Sequence, residues 1–398
     1  MNVSDLEYIL SKNPYDKNVY SNDIIFHLPN IHLNFLQNND IKYVFQPAAK
    51  RYMRAIDILR HDESVITTIK PPRYSTNDSF SHSLVRDKLK TEGYLKRFNI
   101  NTPESQIYNK EEVERAKELS FKDSNHSVVI KPLYGTLGKG VRVNVREDRF
   151  EYNWEVAANS STNKNEIIVQ KFLEGFEARA TIIEGTLLSI TVRIPPYVVG
   201  DGQNSIEDLI AKKNESRKVC GFLRNYPIKK SETMKEYLNS IEKSMFYIPK
   251  SDEKVLLGSV SNLSNGGELF NITESVSNDI KELALDALAS FPGLYTGGLD
   301  IIMKSFDDKE AVILEVNSFP VIAIAAYPTY GPKTDPSKAY IESVIAMDQY
   351  VNTSRFNYTI ENEKQYIKNY LSFMNRKKRQ VNRNYKVLLE GLDNSFND

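Results

Sequence analysis

Gly298-Leu299-Asp300-Ile301-Ile302 and Ile313-Leu314-Glu315-Val316-Asn317 are two apolar runs interrupted by acidic and amide side chains, and Ser305-Phe306-Asp307-Asp308 lies between them. Turn-forming residues between two such runs predict a β-hairpin with arms 298–304 and 311–317. Side chains alternate along a strand, so Glu315 and Asn317 share one face while Leu314 and Val316 share the other. Pairing Lys304 with Ala311 to close the loop sets Asp300 directly across from Glu315. Two facing carboxylates in otherwise apolar strands repel unless a cation lies between them. Hard oxygen ligands at this spacing suit magnesium, which takes one or two carboxylates and fills its octahedron with phosphate and water. Solvated residues on an edge strand are the competing reading.

Upstream, Val128-Val129-Ile130-Lys131-Pro132 reads as a strand ending in a lysine, followed by Gly135-Thr136-Leu137-Gly138-Lys139-Gly140-Val141. Backbone amides of a glycine-rich loop beside a lysine suit phosphate, although the loop lacks the Lys-Ser/Thr of a Walker A motif. Glycine-rich turns between strands are also common without any ligand. Lys88, in Arg86-Asp87-Lys88, lies on a helix predicted over 81–98 with Leu84, Val85, Leu89 and Leu95 broadly on one face. A strand over 166–172 runs into Gln170-Lys171-Phe172-Leu173-Glu174-Gly175-Phe176-Glu177. Such an exposed segment can offer backbone N–H and C=O groups to the edge of adenine, with Glu177 accepting from ribose hydroxyls; an ordinary strand and turn is the alternative.

The remaining elements are read more coarsely. The first 80 residues alternate short apolar runs (24–26, 43–45, 65–69) with a helical-looking stretch at 48–59, which suggests a small α/β unit. Pro71-Pro72 and Ser75-Thr76-Asn77-Asp78 read as a linker. Asn109 with Glu112 resembles a capping box opening a helix to about residue 119. A hairpin over 178–193 turns at Glu184-Gly185, helices follow at 205–213 and 278–290, and the tail beyond about residue 336 is mainly helical. One of its helices carries Arg376-Lys377-Lys378-Arg379, read as a solvated face. The expected divisions are 1–80, 81–335 with a lid-like part at about 128–173, and 336–398.

At 398 residues the chain can bury a sizeable core, and 40% hydrophobic with 26% charged residues is a globular balance. Lysine plus arginine and aspartate plus glutamate number 52 each, so no whole-chain charge favours nucleic acid or anionic lipid. The one cysteine, Cys220, excludes an internal disulfide and a multi-cysteine metal site. The start, MNVSDLEYILSKNPYDKNVY, lacks the basic-then-apolar order of a signal peptide. No apolar stretch approaches the roughly 20 residues that span a bilayer. A cytoplasmic setting without membrane or nucleic-acid partners is the expectation. His82 and His126 read as bystanders, and Cys220 has no evident catalytic partner.

The order of these signals resembles the ATP-grasp ligase family from about residue 81 to 320. The carriers are an Asp-Lys pair, an apolar-apolar-Lys-Pro strand, the glycine loop, the 170–177 segment, Asp300 and a final Glu-x-Asn. Arg193-Ile194-Pro195-Pro196-Tyr197-Val198-Val199-Gly200-Asp201-Gly202, then Ser205-Ile206-Glu207-Asp208-Leu209-Ile210 with Asn214, is similar to cyanophycin synthetase. So are Asn262-Leu263-Ser264-Asn265-Gly266-Gly267 and Asn271-Ile272-Thr273-Glu274, and the ATP-grasp part of bifunctional glutathione synthetase is similar at the same places.

The resemblance implies an α+β ATP-grasp fold, two α+β subdomains sandwiching ATP, preceded by the small α/β unit. It implies an ADP-forming carboxylate–amine ligase that makes an amide bond through an acyl phosphate. Lys88 and Lys131 would meet the phosphates under the amides of Gly138, Lys139, Gly140 and Val141. Gln170, Lys171 and Leu173 would meet adenine, and Glu177 ribose. Asp300, Glu315 and Asn317 would hold one or two Mg2+ ions, with Mn2+ able to substitute. Arg179 and Arg193 have the fork geometry to act on the phosphoryl group or the substrate carboxylate. Amino acids or short peptides are the expected substrates, and a homodimer is admitted. A non-amine acceptor, or an ATP binder without turnover, remains an alternative. Two departures stand out. Gln170 replaces a frequent acid, and Asn317-Ser318-Phe319-Pro320-Val321 lacks the glycine that usually follows this proline. No Mur-ligase-like half is expected after it, and nothing in the first 80 residues looks like a glutamate–cysteine ligase half, so the substrates stay open.

Overall fold

The computed structural model describes residues 1–24, 28–46, 55–70, 73–122, 126–133, 140–160, 166–261, 263–353, 356 and 358–395, with side chains described up to 384 except at 28 and 29. Helices α1 (Val3–Ser11) and α2 (Leu28–Asn38) precede an antiparallel sheet of β1 (Tyr43–Phe45), β2 (Ile56–Leu59) and β3 (Val65–Ile69) in that order. The helix expected at 48–59 is therefore a strand from Ile56 onward, while 47–54 lie outside the described residues. The reason is tertiary: Ile56 and Ile58 are buried because β2 is the middle strand, paired on both sides.

The helix expected over 81–98 is two, α3 (Ser79–Val85) and α4 (Lys88–Lys96). Asp78 caps the first and Asp87 the second, each accepting a backbone N–H three residues on. A cap inside an apolar-periodic stretch starts a new helix and changes its direction. Next come β4 (Ser105–Asn109), α5 (Val113–Phe121), β5 (Val128–Pro132), β6 (Arg142–Val145), α6 (Phe150–Asn159) and β7 (Glu166–Lys171). These strands form one antiparallel sheet, β4-β7-β5-β6. The sheet reaches upstream of residue 128, and α6 was not anticipated. Its Phe150, Trp154 and Ala157 pack with Val128, Ile130, Ile167 and Val169 on one sheet face. Asn109 and Glu112 do interact, but Glu112 accepts from the Asn109 backbone N–H at 2.8 Å and the helix begins only at Val113.

The central sheet joins β8 (Phe176–Ile183), β9 (Thr186–Ile194), β12 (Glu268–Asn271), β13 (Gly297–Met303) and β14 (Val312–Asn317) in the order β12-β9-β8-β13-β14. Between them lie the ribbon β10 (Tyr197–Val199) and β11 (Lys254–Leu256), α7 (Ile206–Lys218), α8 (Glu232–Ser240) and α9 (Asn278–Ala289). After the sheet come α10 (Ala323–Ala326), α11 (Pro336–Asn352) and α12 (Glu363–Ser395). Alternate residues Phe176, Ala178, Ala180 and Ile182, with Val192, Leu299, Ile301 and Val316, face a core filled by Ile280, Ala284, Leu288 and Phe291 of the α9 region. Each large side chain buried there contributes about 1.5–3 kcal/mol. A one-residue slip would trade that row for charged groups, so the register is held firmly.

The β8–β9 turn is Glu184-Gly185 as expected, with φ of 45° and 75°, the left-handed pair of a two-residue hairpin turn. A Cβ on Gly185 would lie 2.5 Å from the Cβ of Phe373, so the turn needs glycine to seat α12. Of the segment read as a linker, Pro71 and Pro72 lie outside the described residues, and the Thr76-Asn77 part is pinned. Asn77 donates to the Thr296 carbonyl at 2.7 Å and accepts from the Tyr295 and Thr296 amides, while Thr76 donates to Glu184. The basic run on α12 is not simply solvated. Arg376 pairs with Glu282 and Asp286 of α9, and Lys377 is buried, donating to the Phe291 carbonyl at 2.6 Å beneath the rings of Tyr295 and Phe373. Among the described residues no helix is long and apolar enough to cross a membrane.

Burial pushes the Lys377 ammonium down to about 7, against the opposing pull of Asp78 and Glu184. The unfolded chain, with an ordinary lysine near 10.4, then binds more protons than the folded one between those values, and stability rises with pH across that window. The difference in melting temperature between wild type and Lys377→Met should therefore grow in favour of wild type from pH 7 to 9.5. A pH-independent difference would contradict this account.

Candidate active site

The sheet face opposite the core is charged. Asp300 lies directly across from both Arg179 of β8 and Glu315 of β14. The expected Asp300–Glu315 pairing is present, but the expected loop-end register is not: past a bulge, Ile301 pairs with Ile313 and Ile302 with Val312. The extra residue is Leu314. Hence Ile313 and Val316 are the buried pair on β14, and Leu314 is only half-buried.

The cation beside Asp300 is a guanidinium. Arg179 donates through Nε and Nη2 to the two carboxylate oxygens, the second at 2.9 Å, and Arg193 Nη2 stands 3.0 Å from Asp300 Oδ1 while also donating to Glu177. Arg179 and Asp300 are 7% and 5% exposed. Burial alone would raise the Asp300 carboxyl; the charges and hydrogen bonds of Arg179 and Arg193 outweigh it and hold the group below the usual range. Gly298 makes room for this, because a Cβ there would lie 2.9 Å from Arg179 Nη1. Thr181 extends the same face with an unpartnered buried hydroxyl among the described residues.

Lys131 comes from the other sheet. It pairs with Ile168, and Val129 pairs with Gln170, so Lys131 and Gln170 share the face turned away from the α5–α6 core. Burial pushes the Lys131 ammonium down to about 8; Lys88 lowers it further, and Glu315 and Glu92 pull it up. Lys88 of α4, Lys131 of β5 and Glu315 of β14 are thus brought within electrostatic reach of one another from three separate elements. Gln170 is 5% exposed, and its Oε1 has no partner among the described residues. Lys171 is exposed at the end of β7 and Leu173 half-buried beyond it. Gly140 takes φ +73° and Val141 follows it half-buried, while Gly138 and Lys139 lie outside the described residues.

Three participants carried no recognisable local signal. His82 Nδ1 lies 2.6 Å from Ser318 Oγ, and its ring packs 4.3 Å from Phe319, so it braces the loop after Asn317. Asn77 also donates to the Ser318 carbonyl, at 3.2 Å. Glu92 accepts from Lys96 and from the Ser105 amide at 2.9 Å, tying α4 to β4. Each depends on a contact across sequence distance, which no spacing rule reports.

Among the described residues no group of three or more His, Cys, Asp or Glu side chains could hold a metal. The set Asp300, Glu315 and Asn317 is two carboxylates and an amide. These hard oxygen donors suit Mg2+ completed by phosphate and water, provided Asp300 shares its oxygens with Arg179.

Lys131 of one sheet, Lys88 of α4 and the Asp300–Glu315 pair of the other sheet are set near one another by the ATP-grasp arrangement of two sheets. The ATP-grasp domain model matches residues 85–320, and the chain belongs to that family. It is 28% identical over 281 residues to the bifunctional glutathione biosynthesis protein of Clostridium perfringens, an alignment covering 68% of this chain and 35% of that one. It is 31% identical over 215 residues to the cyanophycin synthetase of a Synechocystis strain, covering 52% and 24%. The crystal structure of a bifunctional glutathione synthetase from Pasteurella multocida superposes with a TM-score of 0.58 at 21% identity, over 80% of this chain and 43% of that one, which shows the shared fold. The chain therefore spans about a third or less of the length of these curated relatives.

Removing one partner of a buried ion pair strands the other charge. Arg179→Met should destabilise by about 3–5 kcal/mol in urea unfolding, whereas Arg179→Met with Asp300→Leu should recover most of that loss. A single variant as stable as wild type would show that the pair is not buried as described.

Proposed function

We propose that this chain is an ATP-dependent carboxylate–amine ligase, forming an amide bond and releasing ADP and phosphate, with an amino acid or short peptide as substrate. The observation that supports the reading is the pairing of Asp300 with Glu315 on one sheet, while Lys131 stands on the non-core face of the other and responds to the charges of Glu315 and of Lys88 on α4, so that chemistry suited to phosphate and metal comes from separate elements. A carboxylate oxygen of the substrate attacks the γ-phosphorus, the bond to ADP breaks, and an acyl phosphate results. The amine then attacks the acyl carbon, phosphate leaves, and the nitrogen loses its proton. In such a transfer the protein chiefly positions groups and neutralises charge.

Lys88 and Lys131 meet the phosphates, and Gln170 offers an unsatisfied acceptor beside Lys131 to the nucleotide. Asp300, Glu315 and Asn317 would hold magnesium, which when bound offsets the charge of the outer phosphates. The two arginines divide the work. The fork of Arg179 is filled by Asp300, which makes Arg179 a positioning residue. Arg193 shares its Nη2 between Glu177 and Asp300, but its side chain is 20% exposed against 8% for Arg179, so it is the arginine better placed to grip the phosphoryl group or the substrate carboxylate.

Phosphate release from Mg-ATP, assayed with amino acids singly and in pairs, should require a particular pair, yield ADP and vanish in Glu315→Ala. Tight Mg-ATP binding without release would point to a larger carboxylate, a non-amine acceptor or an inactive binder, and absence of binding would sink the reading. Arg193→Ala should lose about 10²–10³ in turnover while keeping ATP affinity; near wild-type turnover would remove Arg193 from the site. Lys131 must be charged to hold phosphate, and in the free protein it loses its proton as pH rises through about 8. Calorimetry should show ATP affinity falling above that pH with net proton uptake on binding, and Lys131→Arg should shift the fall upward.

A further inference from the structure

Asn317 is the last residue of an edge strand. β14 has β13 as its neighbour in the sheet, and the final pair of their ladder is Gly298 with Asn317. That pair lies two positions from Asp300 and Glu315, so Asn317 stands on their face. Beyond it the chain leaves the sheet, and a strand end with one neighbour frays unless other contacts hold it. Those contacts come from far upstream. Asn77 donates to the Thr296 carbonyl at 2.7 Å and to the Ser318 carbonyl at 3.2 Å, which ties the approach to β13 to the exit of β14. His82 of helix α3 completes the bracket. Its Nδ1 lies 2.6 Å from Ser318 Oγ, and its ring packs on Phe319 with centroids 4.3 Å apart. Both His82 and Ser318 are buried. Helix α3 is itself anchored beside β13, since the Asp78 amide donates to the Gly293 carbonyl at 2.9 Å and the Gly293 amide to Ser81 Oγ at 3.0 Å.

We infer that His82 is a positioning residue for the metal: by fixing Ser318 and Phe319 it keeps the Asn317 amide oxygen turned towards the site shared with Asp300 and Glu315. This rests on the ligase reading, in which those three residues hold magnesium. Two features favour a part in metal binding over plain support of the fold. First, the side-chain partners of His82 are the two residues directly after the proposed ligand. Second, a leucine would fill the same space and pack on Phe319 without the cost of burying a polar ring, so the imidazole nitrogen matters for its bond to Ser318. Groups that orient a metal ligand in this way are worth about 10–100-fold in metal affinity. The Asn77 bonds do not involve His82, so the strand ends stay tied when the histidine is replaced.

Electron paramagnetic resonance of Mn2+ bound to the full chain with β,γ-imido-ATP, a non-hydrolysable analogue, reads this directly. His82→Leu should weaken Mn2+ binding by about 10-fold or more while ADP binding in EDTA is kept. Ser318→Ala deletes the same hydrogen bond from the other side with little change in volume, and should weaken Mn2+ binding in the same direction. Asn317→Ala should weaken it too. His82→Leu added to Asn317→Ala should then cost nothing further, because a positioning residue acts through the ligand it positions, whereas a merely structural role would add its own loss. All variants are compared below their melting temperatures, so that unfolding is not read as lost affinity. Additive losses in the double variant, or wild-type Mn2+ binding in any of the three single variants, would overturn the inference and leave the ligase reading standing. A wild-type protein that binds neither nucleotide nor Mn2+ would remove both.

Discussion

The carboxylate of Asp300, held in the middle of a sheet by Arg179 and reached by Arg193, is the interaction around which the molecule is arranged. Burying either charge alone would cost several kcal/mol, so the pair exists only while β8 and β13 keep their register and Gly298 leaves room for the guanidinium. That register is held from the opposite face by a continuous apolar row. Core packing and site chemistry are thus two faces of one alternation. A change that slides the strands would lose both together.

The chain ends act as buttresses to this sheet. Residues of β2, β3 and α2 share a core with Ile183, Ile322, Tyr340 and Ile345, so the N-terminal sheet, the β8 end and α11 are packed as one body. Arg60 and Asp348 add an ion pair between β2's end and α11. Asn77, Thr76 and His82 carry this support to the Thr296 region, the Glu184 turn and Ser318. The loop that follows Asn317 is consequently braced by residues more than 200 positions upstream. This bracing accompanies the loop's unusual Pro320-Val321 sequence.

A second buried charge cluster secures the other edge. Glu268 of β12 lies 3.2 Å from both Lys213 and Arg217 of α7, and Arg217 also donates to the Gly266 carbonyl at 2.6 Å. Burial would raise the Glu268 carboxyl, but the two cations bring it below its ordinary value. Such a network is weak evidence of net stability, since an apolar replacement can do as well. Its geometric effect is plain: it anchors α7 to the sheet edge that pairs with the Arg193 strand.

Elements whose signal is local could be read directly from the chain. The Glu184-Gly185 turn, the strand before Lys131, the helix over 278–290 and the Asp300–Glu315 pairing all follow from alternation, period and turn chemistry within a few residues. So did the ordered set of lysines, acids and amide that marks the ATP-grasp family. Tertiary structure decided the rest, because the forces involved act between distant segments. Ile56–Leu59 became a strand through two partners, and Asp87 broke a helix by capping its second half. Leu314 was absorbed as a bulge that the loop-end register could not foretell. The sequence could nominate Asp300 as a metal ligand, but only the fold shows that its first counter-charge is Arg179, since long-range pairing leaves no trace in local spacing.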